Sequence, residues 1–176
     1  MREIVAVDSV TKIYPNGVRA NIDVSLRACS GEVVCIMGPN GAGKTTLIRQ
    51  ITGILKPTSG AVRVFGRDPV KHHNYIKRRI SYTPQLPLTY PAHRVIEVAK
   101  YVAELSNTPF ERVREVLELL GLWSSRDNLG YQLSLGQRKL LLLALALIKG
   151  GDLLILDEPT AFLDVFKKKL AWSALL

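Results

Sequence analysis

The alternation of hydrophobic and polar residues changes character along the chain. Apolar runs rich in β-branched residues predict strands at 4–10, 22–26 and 33–37. Apolar residues at helical spacing then predict a helix over 43–54, and another short apolar run predicts a strand at 61–65. The first third of the chain is therefore predicted to be a β-rich part that carries one helix.

The middle of the chain is predicted to be mostly helical. A basic helix over 71–79 and a short strand over 80–83 lead into helices over 94–105 and 108–120. Together with the apolar helix that follows them, these segments predict a helical lobe between about 86 and 148.

The helix predicted over 108–120 begins with residues that are typical of a helix N-terminus. Thr108 is a suitable N-cap, Pro109 suits the first helical position, and Glu111 completes a capping box. Phe110 and Val113 begin the predicted apolar face of this helix. The helix is expected to end at Gly121.

Three segments remain. Residues 140–148 form the longest apolar run, which is shorter than the roughly 20 residues of a membrane span and predicts a buried helix. Residues 153–156 predict a strand covered on both faces of its sheet. Residues 166–172 predict the start of a last helix.

Composition adds little to this picture. The 176 residues predict one domain, and the formal net charge of +9 permits an anionic partner as readily as it permits a solvated surface. The two cysteines, Cys29 and Cys35, are too few for a disulfide framework, and Cys35 is expected to lie in a buried strand.

The glycine-rich segment after the third predicted strand carries the clearest chemistry. It fits the pattern G-x-x-x-x-G-K-[ST], between a predicted strand and a predicted helix. Glycines let backbone N–H groups curl around an anion, and a helix start favours negative charge. The residues are Gly38, Pro39, Asn40, Gly41, Ala42, Gly43, Lys44 and Thr45. Lys44 is expected to reach the β- and γ-phosphates of a nucleotide, and Thr45 to hold Mg²⁺.

Two carboxylates follow the apolar strand at 153–156. A buried strand delivers its terminal side chains to the edge of the sheet where the glycine loop is also expected. Asp157 is then predicted to support Mg²⁺ and Glu158 to act as a general base toward water. Gln85 follows another strand and is a candidate contact for the Mg²⁺ or the water, although a lone surface glutamine would carry no function.

These features occur in the order typical of one family, and the chain resembles an ATP-binding cassette (ABC) ATPase domain over nearly all of its length. The matching features, in chain order, are the aromatic Tyr14, the Walker A motif Gly38 to Thr46, the Q-loop Gln85, the signature-like Leu133 to Gln137, the Walker B pair Asp157-Glu158 and the D-loop-like Ala161 to Asp164. The signature is the most specific of these, because ordinary P-loop enzymes lack it.

The resemblance implies a fold class. It is α/β: a P-loop NTPase core with an N-terminal antiparallel β part and an inserted α-helical lobe, the family's C-terminal strands being missing. A single domain over 1–176 is implied, with its α/β core at 1–85 and 149–176. The lobe at about 86–148 would carry the signature motif.

The resemblance also implies a mode of action. Tyr14 would stack on adenine, and Thr46 would belong to the nucleotide site. Two subunits, identical or different, would sandwich ATP head to tail, so that Ser134 and Gly136 of one contact the γ-phosphate held by the other. The lobe and Gln85 would pass the motion to a transmembrane permease subunit, with residues 86–93 near that contact.

This chain departs from the family pattern in two respects. Leu135 replaces the first signature glycine, which implies weaker ATP-driven closure. The family's switch histidine is expected some tens of residues beyond the D-loop, whereas the histidines here (His72, His73 and His93) lie upstream of Walker B. A natural short form and a fragment or frameshifted product are both compatible with this pattern.

The predicted function is therefore an ATP-binding subunit of an ABC transporter, with ATP and Mg²⁺ as cofactors and an ATPase activity. It is predicted to be cytoplasmic, at the inner face of the membrane through its partner. A degenerate module that binds ATP with little hydrolysis is the alternative. An ABC protein that acts on nucleic acid is disfavoured, because such proteins usually carry two cassettes or long insertions. A small-molecule P-loop kinase is also disfavoured, because the signature-like segment at 133–137 would have no function in such an enzyme.

Overall fold

The computed structural model describes residues 2–87 and 90–175. The chain folds into two compact units, Met1–Ile80 and Ser81–Leu176, which are called unit 1 and unit 2 below. Within the described ranges, no helix combines the length and the apolar character needed to cross a membrane.

Unit 1 is built on an antiparallel sheet of three strands. These are β1 (Glu3–Ile13), β2 (Arg19–Cys29) and β3 (Ser59–Val64), and β1 lies between the other two. The helices of this unit are α1 (Lys44–Ile51), which packs against all three strands, and α2 (His73–Arg79). The apolar face of α1 and the buried valines of β1 and β3 form the core, as the predicted periodicities require.

Unit 2 is mostly helical. Its helices are α3 (Val95–Ser106), α4 (Phe110–Leu119), α5 (Leu135–Lys149) and α6 (Val165–Leu175). Its core is one cluster of buried side chains from these four helices, among which Val116, Leu117 and Leu141 are almost completely buried. The predicted helices at 94–105, 108–120, 140–148 and 166–172 are all present.

Two short strands also belong to unit 2, except for the first residue of the earlier strand, Ile80, which is the last residue of unit 1. The strand β4 (Ile80–Thr83) pairs with β5 (Leu153–Leu156), and the Asp157 N–H donates to the Thr83 carbonyl at 3.0 Å just beyond β5. The pairing brings the end of β4 beside the end of β5. Leu154 is 37% exposed, so the expectation of a strand covered on both faces is wrong here. Two strands make too narrow a sheet to bury both faces of β5.

The predicted strand at 33–37 is also absent. This segment has no regular secondary structure; Val33 and Met37 are strongly exposed, and so is Cys35, which was expected to be buried. An apolar run becomes a strand only when another strand offers it backbone partners. In the described part of the chain, the two sheets contain β1 to β3 and β4 to β5, and residues 33–37 pair with none of these strands.

The predicted start of α4 is wrong in its details. The N-cap is Pro109, without a side-chain cap, because the Thr108 hydroxyl instead donates to the Ile148 carbonyl at 3.0 Å. Phe110 is half exposed, with the Lys100 ammonium 4.9 Å from its ring centre. The tertiary contact with α5 thus replaces the local cap.

Candidate functional site

The glycine loop of unit 1 has the backbone that its sequence requires. Gly38, Gly41 and Gly43 all have positive φ, at 157°, 82° and 87°. A Cβ at Gly43 would lie 2.0 Å from the Ala20 carbonyl oxygen. Gly43 is therefore fixed both by its left-handed conformation and by the close passage of the β2 main chain.

Lys44 lies over this loop. Its Nζ donates to the carbonyl oxygens of Gly38 and Pro39, each at 2.8 Å, so the side chain curls back across the loop. The loop residues 38–42 are exposed. An ammonium held at the mouth of an exposed glycine loop presents positive charge to an incoming anion.

The helix that follows the loop begins without a side-chain cap. α1 starts at Lys44 after Gly43, and its first turn carries no acidic side chain. The first N–H groups of a helix have no partner within the helix, and together with the helix dipole they favour an anion. The uncapped start of α1 and the Lys44 ammonium therefore both favour the binding of an anion.

Tyr14 lies beside the end of the loop. Its hydroxyl is 3.3 Å from the Thr46 hydroxyl, and the Lys12 ammonium is 5.5 Å from the centre of its ring. The structure thus brings Tyr14 and Thr46, both predicted to touch the nucleotide, into direct contact.

In unit 2, the structure brings Gln85 and the two carboxylates together. The Gln85 Nε2 donates to Glu158 Oε2 at 3.1 Å, across 73 residues of sequence. Asp157 is only 2% exposed, at the end of β5. Glu158 has a φ of 49°, in the left-handed region, so the main chain turns sharply at this residue.

Lys139 joins this cluster, and the sequence prediction missed it. The side chain of this α5 residue is 2% exposed, and its Nζ lies 2.9 Å from the Pro84 carbonyl oxygen, 3.0 Å from that of Gln85 and 3.2 Å from that of Asp157. Burial lowers the pKa of Lys139, and the charges of Asp157 and Glu158 oppose this shift. A lysine directly before the apolar run at 140–148 is the signal that could have identified it.

The signature-like segment forms the start of α5. Ser134 is the N-cap: its hydroxyl accepts from the Gln137 N–H at 3.2 Å, and the Gln137 side chain accepts from the Ser134 N–H at 2.9 Å. Leu135 occupies the first helical position with its side chain 49% exposed. Leucine therefore replaces glycine here without a left-handed backbone and without a crowded environment.

Gly136 differs from its neighbour. It is buried, and a Cβ at this position would lie 3.1 Å from Lys167 Cδ and 3.3 Å from the Phe162 carbonyl oxygen. Lys167 also pairs with Asp164 at the start of α6, and its hydrogen bonds lower the pKa of that carboxyl. The glycine lets the D-loop-like segment approach the start of α5 closely.

These features first define a class of protein. A glycine loop that opens a helix beside an antiparallel sheet, and a helical unit that carries an acidic pair, make this an α/β protein with the loop motif of P-loop NTPases. The family model described as ABC transporter matches residues 22–161. The chain belongs to this family, among its ATP-binding proteins, and the resemblance read from the motifs is confirmed.

Named relatives agree with this assignment. A protein of Methanopyrus kandleri named as an ABC transporter ATP-binding protein is 41% identical over 88% of this chain and 60% of its own length. The daunorubicin/doxorubicin resistance ATP-binding protein DrrA of Streptomyces peucetius is 35% identical over 96% of this chain and 52% of its own. The chain thus spans between half and two thirds of these two relatives.

Solved structures confirm the fold class. One, titled as the ATP binding subunit of an ABC transporter, has a TM-score of 0.86 at 23% identity and covers 98% of this chain and 73% of its own. CbiO1 from Clostridium perfringens is described as part of the transporter complex CbiONQ. It has a TM-score of 0.81 at 29% identity, and the match covers 99% of this chain and 73% of CbiO1.

Proposed function

We propose that this chain is the ATP-binding subunit of an ABC transporter and that it hydrolyses ATP to drive transport. The observation that carries the proposal is the glycine loop with Lys44 folded over it at the uncapped start of α1. The family match and the names of DrrA and of the bacitracin transport ATP-binding protein BcrA of Bacillus licheniformis support the same function.

The nucleotide would be held by unit 1. Lys44 would leave the carbonyls of Gly38 and Pro39 for the β- and γ-phosphates, because a charged phosphate oxygen is a stronger acceptor than a neutral carbonyl. The loop from Gly38 to Thr46 would supply backbone N–H groups, and Tyr14 a ring for the adenine. The exposed loop and the absence of acidic residues in the first turn of α1 suit a triphosphate.

The metal would be held by oxygen donors. In unit 1 the Thr45 hydroxyl, and in unit 2 the Gln85 amide oxygen and the Asp157 carboxylate, are hard oxygen ligands of the kind that Mg²⁺ prefers, so the donors of each unit suit this ion. Bound Mg²⁺ would neutralise charge on the phosphate oxygens. Glu158 would accept a proton from the attacking water, and the Gln85 amide, already bonded to Glu158, would orient the carboxylate.

A second subunit would complete the site. Ser134 and the Gly136 amide lie at the start of α5, where a helix N-terminus favours a phosphate, and we propose that they meet the ATP of a partner subunit head to tail. Because Leu135 fits its helical position without strain, its side chain would affect the contact with the partner rather than the fold of α5.

A transmembrane permease subunit would receive the motion. CbiO1 is described as part of a transporter complex, which supports a membrane partner for this chain. We propose that the protein works in the cytoplasm at the inner face of the membrane, and that residues 86–93 lie near the permease. Leu88 and Thr89 of this segment lie outside the described residues. The single ABC domain, with its core at 1–85 and 149–176, stays a prediction.

Replacing Lys44 tests the proposal. Lys44→Ala should weaken Mg-ATP binding by about 100-fold, since it removes charged hydrogen bonds to two phosphates. Isothermal calorimetry of the full chain with Mg-ATP measures this loss. Lys71→Ala, which removes an exposed lysine of the same unit, is the matched control and should bind as the unmodified protein does. Equal affinity in all three proteins would refute the nucleotide site.

A further inference from the structure

Lys139 connects three segments of unit 2 that are far apart in sequence. It belongs to α5, five residues after the N-cap Ser134, and its Nζ reaches the main chain of Pro84 and Gln85 on one side and of Asp157 on the other. An ammonium has three N–H donors, and three carbonyl oxygens lie within hydrogen-bond distance of it. The number of N–H donors of the Lys139 ammonium therefore equals the number of carbonyl acceptors around it.

Packing alone does not explain a lysine at this position. A buried ammonium is costly to desolvate, and an apolar side chain of the same length usually serves stability as well or better. The neighbouring residues 140–148 of α5 are indeed all apolar. A buried charge that bonds only to main-chain carbonyls fixes the positions of those carbonyls, since displacing any of them leaves a donor unsatisfied.

The adjacent residue anchors the other side of the same helix start. Arg138 donates from Nε to the Leu133 carbonyl at 3.0 Å and from a terminal nitrogen to the Tyr131 carbonyl at 3.0 Å. Arg138 thus holds the segment that leads into the signature, while Lys139 holds the segments that carry Gln85 and Asp157. Two successive residues, Arg138 and Lys139, therefore connect α5 to the segment before the signature and to the segments of Gln85 and Asp157.

We propose that Lys139 is a positioning residue for ATP hydrolysis, which holds the main chain of Gln85 and Asp157 against α5 so that Gln85 and Glu158 keep the geometry needed to polarise water. The inference rests on the proposed ATPase function.

Steady-state kinetics of the full chain tests this role. Lys139→Met keeps the length of the side chain and removes its donors, so kcat should fall by about 100-fold through misplacement of the reacting groups while KM for ATP changes little. Lys139→Arg, which keeps a cation with donors, should recover a large part of kcat. Lys139→Gln is a smaller change that carries the same test if Lys139→Met unfolds. Lys169→Met, at an exposed lysine of α6, is the control.

Hydrogen exchange separates this inference from the proposed function, because it needs no turnover. In Lys139→Met, exchange should accelerate at the amides of residues 85–86 and 157–158 and stay unchanged in β1 to β3. An unmodified chain that neither binds nor hydrolyses ATP would refute the proposed function alone. A folded Lys139→Met or Lys139→Gln protein with normal kcat, or with unchanged exchange at these amides, would refute the positioning role.

Discussion

The two candidate regions of this protein are built in opposite ways. The glycine loop of unit 1 is exposed, and its lysine donates to carbonyls of the loop itself. In the acidic cluster of unit 2, Asp157 and Lys139 are buried, and side chains from distant segments join the cluster together. Under the proposed function, the loop would be completed by its ligand, whereas Gln85 and Glu158 would be arranged in advance, which would lower the cost of reorganisation during the reaction.

The largest expected effect concerns the acidic cluster. Glu158→Gln should lower kcat by about 10²–10⁴-fold, because the amide cannot accept the proton of water, while Mg-ATP affinity stays close to normal. The glutamine oxygen still accepts a hydrogen bond from Gln85, so the arrangement should persist. Phosphate release and calorimetry measure the two quantities, and gel filtration with ATP should show an accumulated dimer.

Glu97→Gln provides a control for this change. Glu97 caps α3 by accepting from the Arg94 N–H at 2.8 Å, outside the acidic cluster, so its replacement should leave kcat unaltered. Hydrolysis by Glu158→Gln at the unmodified rate would contradict the general-base role. A parallel loss of ATP binding would show that Glu158 also contributes to holding the nucleotide.

The next effect concerns the glycine loop. Gly43→Ala should destabilise unit 1 by about 3 kcal/mol or more, because the methyl group would overlap the Ala20 carbonyl in a left-handed conformation. Gly41→Ala should cost only about 1–2 kcal/mol, since Gly41 has a similar φ but no atom within 4 Å of its Cβ position. Denaturant unfolding measures both. Equal losses in the two variants would show that conformation alone, and not close packing, fixes Gly43.

The smallest effect concerns the start of α5. Ser134→Ala removes the side-chain half of the capping box and should cost about 1 kcal/mol of stability. The same change should weaken ATP-driven dimerisation if Ser134 contacts the phosphate of a partner subunit. Ser106→Ala, which removes a hydroxyl bonded within α3, is the matched control. Dimerisation that falls equally in both variants would attribute the effect to stability alone.

Much of the fold followed from the sequence because its signals were local. Apolar residues at helical spacing predicted α1 and α4, the longest apolar run predicted α5, and the glycine pattern predicted the loop. In these cases the residues that determine the structure lie next to one another in the chain.

The remaining features depend on distant partners. Residues 33–37 have the composition of a strand, but the structure gives them no neighbouring strand within the described ranges. Thr108 has the residue type of an N-cap, but its hydroxyl donates to the Ile148 carbonyl instead. Lys139 forms hydrogen bonds across 54 and 18 residues of sequence, a distance that no local pattern encodes.

The left-handed turn at Glu158 has a consequence for how this protein can change. A residue with a Cβ in that conformation costs about 1–2 kcal/mol, which a glycine would avoid. Glycine at this position would therefore give a more stable protein, but one that lacks the carboxylate beside Gln85. With Glu158 as the proposed general base, stability and turnover favour different amino acids at this position.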